Sequence, residues 1–351
     1  MDSFDIPPGA AARVCIIDTT MRMYGMPTDL LLRPSVGGFE KFPPLGTWSF
    51  LVENSTGRKV LFDLGCHCDT KTRAPLIQNQ ITMINGSLDV KANVADIIRE
   101  HGLNPDRIES VVWSHWHFDH VGDMTTFPAS TELVVGPGFT KAYFPGYPTH
   151  PDSHILESYS QDRDIREITF EGHNSIHIGA FRAFDFFGDG SFYLLDTPGH
   201  CTGHLSGLAR TTTDPDTFIL MGGDLSHHAG EMRPSKALPI PNVLRFASTS
   251  KRAASAFTGA QFRKMNTQRG RQENEPFFDP VLADDAAVAT ETIKGAQAAD
   301  ARDDVFMILA HDMTIEGIVE LFPQSANEWK KKGWKKESMW SFLIDLAAEI
   351  S

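Results

Sequence analysis

Seven consecutive residues, Ser114-His115-Trp116-His117-Phe118-Asp119-His120, restrict what this chain can build around them. Four of them, His115, His117, Asp119 and His120, are strong metal ligands. The apolar run just before, Ile108 to Trp113, reads as a buried strand. Side chains alternate faces along an extended segment, so His115 and His117 point the same way and can share one cation. Once the chain turns, Asp119 and His120 can face a second cation beside the first. One short loop therefore offers half of a two-metal site, and two-metal sites mostly serve hydrolysis.

Three later places supply the missing ligands. His200 lies in Asp-Thr-Pro-Gly-His-Cys-Thr-Gly-His, straight after a strand ending at Asp196. Asp224 closes Gly-Gly-Asp after the strand Phe218 to Met221, and His311 follows the strand Val305 to Leu309. Each lies at the C-terminal end of an expected strand, where loops can converge on one sheet edge. Further strands are expected at Arg13 to Asp18, Trp48 to Glu53, Lys59 to Phe62, Leu133 to Val135, Ile176 to Ile178, Phe181 to Phe186 and Phe192 to Leu195. Asn-Ser-Thr-Gly between the second and third marks a hairpin. Helices are expected around Val94 to His101, over Val281 to Ala299, and over Asn327 to Ile350, where Gly333 weakens the pattern.

A chain of 351 residues that is 41% hydrophobic supports a sizeable core. We expect one domain over residues 1–351 with inserts at 20–45 and 230–280. Thr20 to Leu45 reads either as a binding loop over a site or as a packed connector. The second insert is basic around Arg263 to Arg271 and reads as a lid, a partner surface or a disordered loop. The net charge of −13 argues against a nucleic-acid groove. The start of the chain does not read as a signal peptide, and no run reaches the length of a membrane span. With four cysteines there is no disulfide framework, and a cytoplasmic setting is expected. The expected partner is a small-molecule substrate, with no nucleic acid and no membrane.

The His-x-His-x-Asp-His signature, the Thr-Pro-Gly-His turn, the Gly-Asp at Asp224 and the late His311 together resemble the metallo-β-lactamase superfamily. Phe62-Asp63-Leu64-Gly65 is similar to that family's early Asp-x-Gly turn. The resemblance implies a four-layer αβ/βα sandwich, an α/β fold with two mixed β-sheets face to face and helices outside. It implies that His115, His117 and His200 hold one ion, that Asp119, His120 and His311 hold another, and that Asp224 bridges both. Such ligands suit two divalent ions, Zn²⁺ first, with Mn²⁺ or Fe²⁺ as alternatives. Asp63 would orient a ligand or merely cap a turn, and His204 is a candidate to support the site. Cys66-His67-Cys68 fits no standard zinc spacing.

The chemistry expected is a metal-bridging hydroxide attacking a carbonyl, with Asp119 orienting the water or shuttling its proton. His227, three residues after Asp224, is the candidate general acid at the rim; otherwise His227 and His228 are an exposed loop pair. Asp119, Asp224 and His227 are thus the catalytic candidates. The long N-terminal loop and His-Phe-Asp-His look most like lactonases of this superfamily, which places Met23, Tyr24 and Phe42 as substrate contacts. Those lactonases often carry a tyrosine where this chain has His227, which opens cyclic amides and carbamates beside cyclic esters. The expected function is therefore ring-opening hydrolysis of a lactone or lactam, with detoxification or secondary metabolism as its setting. A thioesterase of glyoxalase or acyl-carrier type is the alternative. Its handle would be Trp329-Lys330-Lys331-Lys332-Gly333-Trp334-Lys335-Lys336, a stretch that reads equally as a solvated helix face. A metal-binding module without catalysis is the third reading.

Overall fold

The structure is a computed structural model and describes residues 3–69, 71–83, 86–244, 246 and 257–350. The middle of the expected 230–280 insert, at 245 and 247–256, lies outside the described residues. Strands β1 (Arg13–Asp18), β2 (Trp48–Glu53), β3 (Lys59–Phe62), β4 (Ser110–Val112), β5 (Glu132–Val135) and β6 (Ile165–Glu167) form one sheet in that order. Strands β7 (Ser175–Ile178), β8 (Phe181–Asp185), β9 (Phe192–Asp196), β10 (Leu205–Thr213), β11 (Asp216–Met221) and β12 (Val305–Ile308) form the other. Both are mixed. The β1–β2 and β2–β3 pairs are antiparallel, while β3 through β6 pair in parallel. In the second sheet only the last pair, β11–β12, is parallel.

Strand periodicity fixes the layers. Val14 and Ile16 face one buried cluster with Phe50, Val112, Leu194, Ile219 and Ile308, the interior between the sheets. Cys15 and Ile17 face the other way, under the helix Val94–Glu100 through Val94, Ala95 and Ile98. On the second sheet Phe218 and Leu220 turn outward, beneath Ile293, Ala296 and Ala299 of the helix Ala286–Asp300. Both faces of each sheet are covered, so the fold is a four-layer sandwich with helices outside. Asp285 caps the second helix, its carboxylate accepting from Ala287 N and Val288 N at 3.0 Å. Hence that helix begins after the expected Val281, and the segment before it is free to run across the site.

Two other expectations need correction. Asn327 to Ile350 is not one helix: it breaks into Trp329–Lys332, Trp334–Ser338, a 3₁₀ turn Ser341–Leu346 and Ala347–Ile350. Gly333 takes φ 76° at the first break, a left-handed conformation that ends a helix. Strand β10 was not expected, because Ser206, Gly207 and Arg210 interrupt its apolar pattern. All three are buried: Gly207 lies under the Phe192 ring, and Arg210 bonds to the carbonyls of Pro7 and Gly190 and to Asp216.

The two inserts meet. Leu32–Arg33 pairs with Asp279–Pro280, and Arg22–Tyr24 pairs with Ser87–Asp89. Met21, Met23, Leu31, Leu32, Val36 and Phe39 are buried in the core cluster that also holds Phe277 and Phe278. The N-terminal insert is thus a packed wall.

Candidate metal centre and its cavity

The C-terminal ends of β3, β4, β9, β11 and β12 lie along one edge, and each is followed by a side chain of the centre. His115 and His117 leave β4, His200 leaves β9, Asp224 leaves β11 and His311 leaves β12. Two glycines allow the turns to close. Gly199 has φ 122°, and a Cβ there would lie 2.3 Å from Ala289 N in the covering helix. Gly223 has φ 55°, and a Cβ there would press on His204 Nε2 and Ser114.

The seven ligand candidates fall into two adjoining groups, His115–His117–His200–Asp224 and Asp119–His120–His311, each able to hold a metal ion. Tetrahedral bonds of about 2.0–2.1 Å to imidazole imply donor–donor edges of about 3.3 Å. In the first group His115 Nε2 lies 2.9 Å from His117 Nδ1, and His200 Nε2 lies 3.2 and 3.0 Å from those two atoms. Asp224 Oδ2 stands 3.6 Å from His115 Nε2 and 3.5 Å from His200 Nε2. The other oxygen, Oδ1, faces the second group, 3.1 Å from His120 Nε2 and 3.3 Å from His311 Nε2. Asp119 Oδ2 is 3.7 Å from His311 Nε2. One carboxylate thus presents an oxygen to each group.

The far side of each ring explains which nitrogen faces inward. His120 Nδ1 donates to Asp63 Oδ2 at 2.7 Å, His200 Nδ1 to the Leu282 carbonyl at 3.1 Å, and His311 Nδ1 to the Gly46 carbonyl at 2.9 Å. Ser114 Oγ donates to Asp63 Oδ2 at 2.8 Å and so accepts from His115 Nδ1 at 2.9 Å. Each of these four rings thus turns its Nε2 inward. Asp63 therefore anchors one ligand of each group, while Ser114 N donates to its Oδ1 at 2.6 Å. It holds this place at φ 60°, a left-handed conformation costing an aspartate ~1 kcal/mol. His204 positions the bridge: its Nε2 accepts from Asp224 N at 3.0 Å, so its Nδ1 donates to the Thr197 carbonyl at 2.9 Å.

The electrostatics fit a cation. Burial keeps the imidazoles of the first group neutral, pushing His117 down to about 4 and His115 and His200 well below their ordinary value. Burial would also lower His120 and His311, but Asp224 outweighs it, lifting His120 strongly and His311 to about 9. Burial would raise Asp224, yet His311 and His120 hold its carboxyl well below the carboxylate range. This carboxylate demands positive charge beside it. His120 Nε2 and Asp224 Oδ1 are buried without a hydrogen-bond partner, as expected of atoms whose partner is a metal ion.

The centre opens into a cavity of about 660 Å³, bordered by His227 and His311. His227 is not at an exposed rim: it is 4% exposed, with its Nε2 3.5 Å from Asp224 Oδ2 and neither ring nitrogen partnered. Its ring stacks on His311 at 15°. The loop beneath is clamped by the buried Glu231, whose Oε2 accepts from Ser226 Oγ at 2.8 Å and His227 N at 2.6 Å. His228 is buried as well, among Phe39, Phe42, Phe278 and Phe342.

Of the substrate contacts expected from sequence, Tyr24 and Phe42 line the cavity, whereas Met23 turns into the core. Sequence reasoning missed Arg22 and the C-terminal residues Phe342, Ile344 and Asp345, which close one side. No local motif marks them; they arrive through the chain's last turn. In the basic stretch both tryptophans and one lysine turn inward. Trp329 and Trp334 are buried, and Lys335 Nζ donates to the carbonyls of Asp300, Arg302 and Val305 at 2.7, 2.5 and 2.6 Å. Lys330 and Lys332 pair with Asp303 and Glu320. Cys66 packs against Arg73, and all four cysteines are free thiols.

Residues 42–257 match the family model described as the metallo-beta-lactamase superfamily. A protein named gamma-lactamase FDB1 from Fusarium pseudograminearum is 41% identical over 98% of this chain and 86% of its own length. One named cytochrome P450 monooxygenase mpaDE, from Penicillium roqueforti, is 42% identical over 97% of this chain, which spans only 38% of that protein. A crystal structure of a quorum-quenching N-acyl homoserine lactone hydrolase superposes with a TM-score of 0.56 at 16% identity, over 93% of this chain and 100% of that one.

Proposed function

The chain belongs to the metallo-β-lactamase superfamily, and from that premise we propose that it is a two-metal hydrolase that opens a lactone or lactam ring. The observation that carries this reading is the Asp224 carboxylate, with one oxygen toward each of two histidine groups at the mouth of a cavity. His115, His117 and His200 would hold one ion and Asp119, His120 and His311 the other, with Asp224 presenting a carboxylate oxygen to each group. Zinc suits this nitrogen and oxygen donor set. When bound, the pair supplies a nucleophilic water at neutral pH and a Lewis acid for the carbonyl.

The protein's own residues do the rest. Asp63, Ser114 and His204 fix the ligands, so that none must reorganise during turnover. Asp119, its Oδ2 3.7 Å from the cavity-lining His311 ring, would orient the attacking water. His227 carries a proton to the leaving heteroatom; its cavity-lining ring, with neither nitrogen hydrogen-bonded, supports that role. Tyr24, Phe42, Pro44 and Phe342 supply an apolar wall that seats the ring's substituent and excludes bulk water. A lactam gains more than a lactone from this proton, because an amine leaves less readily than an alkoxide that the same site stabilises. The relationship to a protein named gamma-lactamase supports the lactam side of the reading.

The test is elemental analysis of the purified protein followed by turnover of a panel of γ-lactones, γ-lactams, cyclic carbamates and thioesters. Ring opening at two ions per chain is expected. Turnover of thioesters alone, or full activity of a metal-free chain, refutes the proposal.

A further inference from the structure

Ring opening changes the charge of whatever fills the cavity. The carbonyl carbon gains the water oxygen and the ring C–O or C–N bond breaks. One water proton ends on the leaving heteroatom, and the other leaves the new acid, so an uncharged ring becomes a carboxylate at neutral pH.

The cavity is built against such an anion. Among the described residues that line it, Arg22 is the one arginine or lysine. Its guanidinium is already engaged: Nη1 donates to Asp18 Oδ1 at 3.0 Å and the Met21 carbonyl at 2.8 Å. Nη2 donates to Asp18 Oδ2 at 2.8 Å and Glu316 Oε1 at 2.9 Å. No free fork remains for a carboxylate ligand. Three carboxylates, Asp312, Glu316 and Asp345, line the same space. With Asp18 and Arg22 cancelling each other, the wall away from the two cation groups is net negative. Asp345 lies 3.3 Å from His228 Nε2, and His228 Nδ1 accepts from Gly230 N at 3.0 Å, so Nε2 bears the hydrogen that Asp345 accepts. Facing these groups are the apolar side chains Tyr24, Phe42 and Phe342, and the buried His227 whose two ring nitrogens have no partner.

We propose, resting on the hydrolase reading, that this cavity selects an uncharged ring borne on an apolar body. By the same charges it rejects anionic substrates and expels its own carboxylate product. The more enclosed Asp345 contributes most, because repulsion there is screened less than in bulk water.

The probes are 2-coumaranone and 2-oxindole, a neutral aromatic lactone and lactam, with their ring-opened acids as products. For the zinc-loaded wild type, the Kd of each acid is measured by calorimetry and by product inhibition. We expect the acid to bind roughly fivefold more tightly in Glu316→Gln/Asp345→Asn than in the wild type. A ring carrying an extra carboxylate should gain a similar factor in kcat/KM. Circular dichroism verifies the variant's fold. In the wild type alone, raising ionic strength from about 0.02 M to about 0.5 M should tighten acid binding and leave the neutral ring unaffected. Turnover of the rings with acid affinity indifferent to both salt and variant overturns the charge selection and leaves the hydrolase reading standing. No turnover of any neutral ring overturns both.

Discussion

Replacing Asp63 by asparagine tests whether one residue outside the ligand set holds the metal centre together. Asparagine tolerates the left-handed backbone at φ 60° as well as aspartate does, so the turn itself should survive. The side chain loses more. Its two oxygens accept three hydrogen bonds, from Ser114 N at 2.6 Å, Ser114 Oγ at 2.8 Å and His120 Nδ1 at 2.7 Å. The best asparagine orientation keeps its oxygen at the Oδ2 place, which serves two donors. Its amide then faces Ser114 N, donor against donor, and a buried N–H left unpaired costs about 1–3 kcal/mol. His120 and, through Ser114, His115 also lose the negative charge that makes their rings better ligands. Removing such an outer partner lowers metal affinity about 10–100-fold. Because one ligand in each group is touched, both ions should loosen.

The assay is competition of the metal-free protein with a chromophoric chelator, beside thermal melts with and without zinc. The Asp63→Asn chain should melt lower than wild type in both states and show weaker binding in both phases of the titration. Wild-type affinity for both ions with an unchanged melting temperature would refute the anchoring role.

Four further outcomes are expected. Asp224→Ala should remove both metal retention and ring opening, seen together by elemental analysis and turnover, since each group loses its shared oxygen. His227→Ala should keep its metal and lose roughly 10²–10⁴ in kcat, more on a lactam than on a lactone; unchanged kcat would remove it from the mechanism. Tyr24→Ala should raise KM roughly three- to tenfold with little change in stability, because this ring is half-exposed in the cavity wall. Outside the candidate ligand set, burial would raise the Asp300 carboxyl, but the Arg233 guanidinium at 2.6 Å outweighs it and holds the carboxyl below its ordinary value. The unfolded chain then takes up this proton first. The pair's stabilisation is fully present above about pH 4 and is lost as pH falls through the folded value. Asp300→Ala leaves Arg233 buried and unpaired, a loss of about 3–5 kcal/mol at neutral pH, with a shallower acid decline in denaturant titrations.

The candidate ligands were legible before any fold because their positions follow from strand chemistry. A histidine or aspartate directly after an apolar run sits at a strand's end, and parallel strands carry such ends to one edge. His115, His117, His200, Asp224 and His311 could be picked out as candidates on that ground, and the strand expected at Arg13 to Asp18 is present. Strand β10 was not legible, because the partners that satisfy Arg210 include Pro7 and Gly190, distant in sequence. The C-terminal segment was misread for a related reason: Gly333 and the packing of Trp329, Trp334 and Lys335 decide its course, and helical propensity does not.

The sequence by itself determined which side chains could offer themselves to a metal, since ligand type and order along the chain are local properties. Tertiary structure alone decided what the centre can receive. The burial of His227, the inward turn of Met23, the engagement of Arg22 by Asp18 and Glu316, and the arrival of Phe342 and Asp345 all depend on contacts between segments far apart in the chain. No window of sequence holds both sides of those contacts, so the shape and charge of the cavity exist only once the chain has folded.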